Sequence, residues 1–185
     1  MYKLFFGIDL GAKTGISVLD GNVMHTHESY FGTSKDEAMR YKKFWNHIDA
    51  MFEEACTQLN PSEIIVYYEY VARHLGTKAA HAYGAYRMIL LMACHTWKIK
   101  SDHLSVQAIK KAATQKGNAK KDLMIESAKN RFSPNWELTD NEADSMWIAY
   151  LGKELTNESF ETIEISGPIQ AIKRDGSFYD NVDFK

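Results

Sequence analysis

Apolar and polar positions alternate in short runs over the first thirty residues and then switch to helical spacing. Tyr2 to Asp9 and Gly15 to Asp20 read as strands split by the turn Gly11-Ala12-Lys13-Thr14. Asp20-Gly21-Asn22 is a hairpin signal leading to a third strand near Val23 to Phe31, so the chain is expected to open with a three-stranded meander. Ser34 can cap a helix, with Glu37 three residues on completing a capping box. Met39, Phe44, Ile48, Met51, Phe52 and Ala55 then run down one helical face, which Asn60-Pro61 ends. Ile64-Ile65-Val66-Tyr67-Tyr68 is a continuous apolar, β-prone run, the pattern of a strand buried on both faces, and Glu69 closes it.

A long helix is expected from about Thr77 to Trp97, then a short strand near Ile99 to Leu104. Helices near Val106 to Ala113 and Ala119 to Arg131 flank Gln115-Lys116-Gly117-Asn118, and a last helix begins at Thr139. A meander followed by alternating helices and strands describes an α/β domain, a five-stranded mixed sheet flanked by helices, over residues 1–152. Residues 153–185 form a C-terminal extension in which Ile163 to Ile165 suggests one more strand and Lys173 to Lys185 a loose polar tail.

Composition narrows the class. A chain of 185 residues with 45% hydrophobic content suits one soluble globular domain, and no apolar run nears the roughly 20 residues that span a bilayer, so no membrane partner is expected. The N-terminus shows no export signal. Both cysteines, Cys56 and Cys94, sit in apolar helical stretches, which points to reduced, buried thiols and a cytoplasmic location. His25 and His27 share a strand face and are expected as a surface pair. The net charge of −2 is unevenly spread: nine Lys or Arg against three acids between Lys98 and Arg131 give that stretch +6, leaving −8 elsewhere. Such a basic stripe suits a nucleic-acid contact on one face, or a solvated helical face.

The acids carry the chemistry. Asp9 interrupts an apolar first strand and Glu69 ends the most apolar strand, places where a carboxylate is costly unless paired or bound to a cation. A third group is Thr139-Asp140-Asn141-Glu142-Ala143-Asp144. On a helix Asp140 lies about 40° from Asp144, Asn141 about 60° and Glu142 about 160°. Thr139-x-x-Glu142 has capping-box spacing, which accounts for Glu142, and Asp140 would also suit the positive helix start. Carboxylates converging from Asp9, Glu69, Asp140 and Asp144 imply hard divalent cations with oxygen ligands, Mg²⁺ by default with Mn²⁺ as a substitute. Two such ions about 4 Å apart suit phosphodiester hydrolysis without a side-chain nucleophile.

These residues fall into a recognisable order. The sequence resembles the RuvC-like Holliday-junction resolvases of the ribonuclease H-like superfamily, phage-type members included. The resemblance runs through Gly7-Ile8-Asp9-Leu10-Gly11-Ala12-Lys13-Thr14-Gly15, Tyr68-Glu69, Gly84-Ala85-Tyr86-Arg87, the lysine-rich run Ile109 to Lys121, and Glu142-Ala143-Asp144-Ser145. It covers roughly Tyr2 to Leu151. It implies a homodimer that cuts symmetrically related strands of a four-way DNA junction, leaving 5′-phosphate and 3′-hydroxyl ends. By the same likeness Lys110 and Lys121 would approach the DNA near the cut, and Lys111, Lys116 and Lys120 would contact phosphates. Tyr70 would match an aromatic that stacks at the junction centre, with a core aromatic as the plain alternative. One position departs: Asn141 stands where the family usually has Asp or His, so either Asp140 supplies the missing charge or three carboxylates suffice.

Other readings remain open on sequence alone. A nuclease of this fold acting on RNA or RNA/DNA hybrids shares the carboxylates, and Asn141 would also suit a noncatalytic junction-binding protein. The opening motif also resembles the first phosphate loop of actin-like ATPases and sugar kinases, whose second lobe 185 residues would not hold.

Overall fold

The computed structural model describes residues 3–32, 36–59, 63–156 and 164–165. The chain forms β1 (Lys3–Asp9), β2 (Lys13–Asp20) and β3 (Val23–Tyr30), then α1 (Glu37–Glu54), which runs into a π-helical turn at Ala55–Leu59. There follow β4 (Glu63–Tyr70), α2 (Thr77–Thr96), β5 (Lys100–Ser105), α3 (Val106–Thr114), α4 (Lys121–Phe132), α5 (Asp140–Glu154) and the two-residue β6 (Glu164–Ile165). One sheet results, in the order β5-β4-β1-β2-β3-β6. The meander pairs antiparallel, whereas β4 runs parallel to β1 and β5, and β6 parallel to β3. The five long strands are those expected, and the strand expected near Ile163 to Ile165 is present as β6. The proposed caps and breaks at Ser34 and Asn60-Pro61, residue Ile163 and the tail from Lys173 lie outside the described residues.

Alternation along the central strands divides two cores. Leu4, Phe6, Ile8, Val66 and Tyr68 face α1 and α2, while Phe5, Ile65 and Tyr67 face α3, α4 and α5. Because helices cover both sides, β1 and β4 are buried along nearly their whole length, as the continuous apolar run of β4 requires. The first helix starts at an Asp36 cap, so Met39, expected on the buried face, lies in the first turn and is exposed. His25 and His27 are not a surface pair either. Both are half-buried, and His27 Nε2 lies 3.2 Å from His47 Nε2 of α1. Burial holds the His27 imidazole down to about 3 and that of His47 to about 4, so both are neutral near pH 7. Cys56 and Cys94 are free thiols, and burial pushes Cys94 up to about 12. Among the described residues no helix is long and apolar enough to cross a membrane.

What places the site is the close seating of α5 across β1 and β2. A Cβ on Gly7 would collide with the Ser145 carbonyl and the Ala149 backbone, and one on Gly15 with the Asn141 carbonyl. Glycine at both positions lets the helix backbone rest on the sheet. A buried hydroxyl cluster joins the layers beneath, with Ser17 Oγ 2.8 Å from both Thr26 Oγ1 and Ser145 Oγ. Gly7→Ala is accordingly expected to destabilise the fold by about 1–3 kcal/mol or more, read as a lowered urea midpoint. An unchanged midpoint would show that α5 can lift without cost.

Candidate metal centre and its basic surround

The register of the sheet brings the acids to one end. Ile8 pairs with Tyr68, so Asp9 and Glu69, the next residues, leave neighbouring parallel strands at the same edge and on the α5 side. Helix α5 begins over that edge. Thr139 Oγ1 accepts from the Glu142 backbone N–H at 3.1 Å, and Glu142 Oε2 accepts from the Thr139 N–H at 2.8 Å, completing the capping box read from the sequence. This box fixes the rotation of the first turn. Glu142 is buried in its cap, Asp140 is ion-paired with Lys121, and Asn141 Nδ2 donates to Glu28 Oε2 at 2.5 Å.

Electrostatics shows that the acids share one environment. Burial raises the Asp9 carboxyl well above the ordinary range, and Glu69, Asp144 and Asp140 add repulsion that Lys121 partly offsets. Glu69 is pushed up to about 7 by burial and by Asp144, against the pull of Lys110. Asp144 is raised to about 6 by burial, with Lys110 and Lys121 opposing and Asp140 adding to the rise. Asp140 moves the other way, held low by its bond to Lys121. Asp144 Oδ1 is buried and accepts no hydrogen bond from the described residues. An orphaned carboxylate oxygen among three further acids is the donor chemistry of a hard divalent cation. Asp9, Glu69 and Asp144 thus offer donors of the kind Mg²⁺ takes, with Asp140 turned to Lys121. Among the described residues, however, no three acids stand close enough together to form a closed metal cage.

The structure thus brings together Asp9, Glu69, Asp140 and Asp144 with Lys110 from α3 and Lys121 from α4. Lys111, Lys116 and Lys120 are exposed on α3 and on the segment joining it to α4. Tyr70 is not in the acidic group. It lies on the other face of β4, 36% exposed, with its ring centroid 5.0 Å from that of His103 and the Arg87 guanidinium 5.6 Å over it.

Three contributors were given no role by the sequence reading, which quoted Arg87 only within the Gly84-Ala85-Tyr86-Arg87 motif. Tyr83 of α2 donates to the Glu69 carbonyl at 2.7 Å and accepts from Val71 N–H, pinning the strand end that carries the glutamate. Arg87 Nε donates to Tyr68 OH at 3.1 Å. Glu28 takes the Asn141 amide and lies 3.5 Å from Lys13 Nζ. Glu28 was legible in principle, because the two-residue turn at Gly21-Asn22 sets Gly15 opposite Glu28. Tyr83 and Arg87 depend on how α2 packs, which no local pattern encodes.

Sheet order, strand directions and flanking helices define a ribonuclease H-like α/β fold. Among solved structures, the chain is similar to Thermus thermophilus RuvC in complex with Holliday junction substrate, with a TM-score of 0.60 and 18% identity over 79% of this chain and 90% of that one. A Thermus thermophilus RuvC structure gives 0.59 and 18%, covering 83% and 96%. The yeast mitochondrial Holliday junction resolvase Ydc2 gives 0.49 and 15%, covering 78% and 75%. By sequence, no family model and no curated protein matches. The fold is the one that RuvC adopts, nearly whole.

Proposed function

We propose that the chain is a structure-specific endodeoxyribonuclease that hydrolyses phosphodiesters in four-way or otherwise branched DNA, using Mg²⁺. The observation that carries this is the convergence of Asp9, Glu69, Asp140 and Asp144 at one sheet end, with buried Asp144 Oδ1 unsatisfied by the described residues, on a fold shared with a junction-bound RuvC. When bound, divalent ions supply Lewis-acid polarisation of the phosphate and a nucleophilic water. The chain itself does the rest. Asp9, Glu69 and Asp144 hold the cations, and Asp140 holds Lys121 at the edge of the group. Lys110 and Lys121 bind the phosphate beside the cut and offset its developing negative charge. Lys111, Lys116 and Lys120 contact backbone phosphates further along, and Tyr70 offers a ring to an unstacked base.

A homodimer follows from the same reading, since a four-way junction presents two symmetry-related strands. Met88 and Met92, 57% and 53% exposed on the outer side of α2, suit a second copy seated there.

A labelled four-way junction, a linear duplex and an RNA/DNA hybrid incubated with the protein and Mg²⁺ test the proposal. Paired nicks confined to the junction are expected. Retarded but uncut junction would replace the nuclease with a junction-binding protein, and cutting of the hybrid alone would move the substrate to RNA. For the lysines, Lys110→Ala together with Lys121→Ala is expected to slow cleavage about 10- to 100-fold and to reduce the slope of log binding against log salt by about 2. An unchanged slope would remove them from the DNA.

A further inference from the structure

The first turn of α5 poses a chemical question that Glu28 answers. At position 141 a neutral amide stands three residues before Asp144, in the turn whose backbone rests over Gly15 beside Asp9, and an amide has two unlike ends. Its Oδ1 can ligate a cation, whereas its NH₂ repels one. A side chain free to flip would present the wrong end half the time.

The sheet removes that freedom. Asp9 pairs with Gly15, and Gly15 with Glu28, so the three stand in one row across β1, β2 and β3 with their side-chain positions on the α5 face. Gly15 has no side chain, and the Asn141 backbone rests in the gap it leaves. Asn141 is thereby set between Asp9 at one end of the row and Glu28 at the other. Its Nδ2 donates to Glu28 Oε2 at 2.5 Å. An ionised carboxylate only accepts, so Glu28 selects the NH₂ end of the amide and leaves Oδ1 on the arm turned away from it. Lys13 Nζ, 3.5 Å from Glu28 Oε1, supplies the opposite charge that pairs with this carboxylate.

We propose that Glu28 is a positioning residue for the metal centre, locking the flip of Asn141 so that Oδ1 serves as a neutral oxygen ligand beside Asp9 and Asp144. This rests on the metal-nuclease reading and deepens it. Outer partners that hydrogen-bond a ligand and fix its orientation are common around metal centres. It follows that adding charge at 141 alone is expected to give no gain. In Asn141→Asp two carboxylates would face each other at the separation now bridged by the amide hydrogen.

Mg²⁺ and Mn²⁺ titration by calorimetry, without DNA, tests this in four proteins: wild type, Glu28→Ala, Asn141→Asp, and Glu28→Gln combined with Asn141→Asp. Melting in EDTA and the Mg²⁺ concentration for half-maximal junction cleavage accompany each. Glu28→Ala is expected to weaken cation binding about 10-fold or more while melting within a few degrees of wild type. Asn141→Asp is expected to give no gain. The double variant exchanges the two groups, so that an amide on β3 donates to a carboxylate on α5, and it is expected to bind at least as tightly as wild type. Wild-type affinity in Glu28→Ala would overturn the proposal. So would weakened binding in Glu28→Ala that the double variant fails to restore, which would leave Glu28 as a tether of α5 alone. If the wild-type protein binds neither ion, the metal-nuclease reading itself has failed, a result distinct from the other two.

Discussion

Asp9→Asn is expected to slow cleavage of a four-way junction in Mg²⁺ about a thousandfold or more, roughly 4 kcal/mol of lost transition-state stabilisation, while raising the melting temperature of the metal-free protein. Both effects have one cause. Asp9 sits at the end of β1 where burial, and then Glu69, Asp144 and Asp140, all disfavour its charge. On the proposed metal-nuclease reading, a cation relieves that repulsion. Asparagine keeps the shape and removes the charge, so the empty site relaxes and the loaded site loses a ligand. Single-turnover cleavage, melting in EDTA and gel retardation in Ca²⁺ read the three consequences separately. Retained binding in Ca²⁺ is expected. Cleavage within tenfold of wild type would place Asp9 outside the chemistry, and joint loss of cleavage and binding would show that its role extends to holding DNA.

The elements that announce themselves locally were readable, and those that depend on packing were not. The capping box at Thr139 and Glu142, the hairpin at Gly21-Asn22 and the doubly buried run of β4 follow from short-range rules, and each is present. The acids at strand ends were legible because a carboxylate closing an apolar strand conflicts with its surroundings unless something compensates. The first turn of α5 was legible in part. Helical angles put Asp140 on the Asp144 face and assigned Glu142 to the cap, but the partner of Asn141 lies on β3, 113 residues earlier. His27 shows the same limit. Its strand pattern suggested a surface pair, and only the seating of α1 turns it toward His47. Tyr70 illustrates strand parity. It adjoins Glu69 in sequence and therefore points to the opposite side of the sheet, beneath Arg87 rather than among the acids.

Metal-free protein is expected to lose stability as the pH rises from about 4 to about 8, with Mg²⁺ restoring it. Burial and Asp144 push the Glu69 carboxyl up to about 7 from an ordinary 4.5, and Asp144 stands at about 6 against 3.8. Below the ordinary values both groups are protonated in folded and unfolded chains alike, and neither affects stability. Through the interval the unfolded chain gives up its protons first, so rising pH favours unfolding until the folded values are passed. Each tenfold change in proton affinity is worth about 1.4 kcal/mol, so the two groups together cost the metal-free fold several kcal/mol near pH 8. Asp140 runs against this trend. Its bond to Lys121 holds it low, so it contributes stability present above the ordinary carboxylate value and lost as pH falls through the lower folded one. With its side chain 29% exposed and that of Lys121 79% exposed, solvent screening keeps this contribution small. Urea midpoints across this range, in EDTA and in saturating Mg²⁺, check the balance. The EDTA curve should fall toward alkaline pH and the Mg²⁺ curve should rise, because a cation binds the deprotonated carboxylates and binds them better as protons leave. Two flat, superimposed curves would mean that the acids carry no strain for a metal to relieve, and the case for a divalent centre at this sheet end would fall with them.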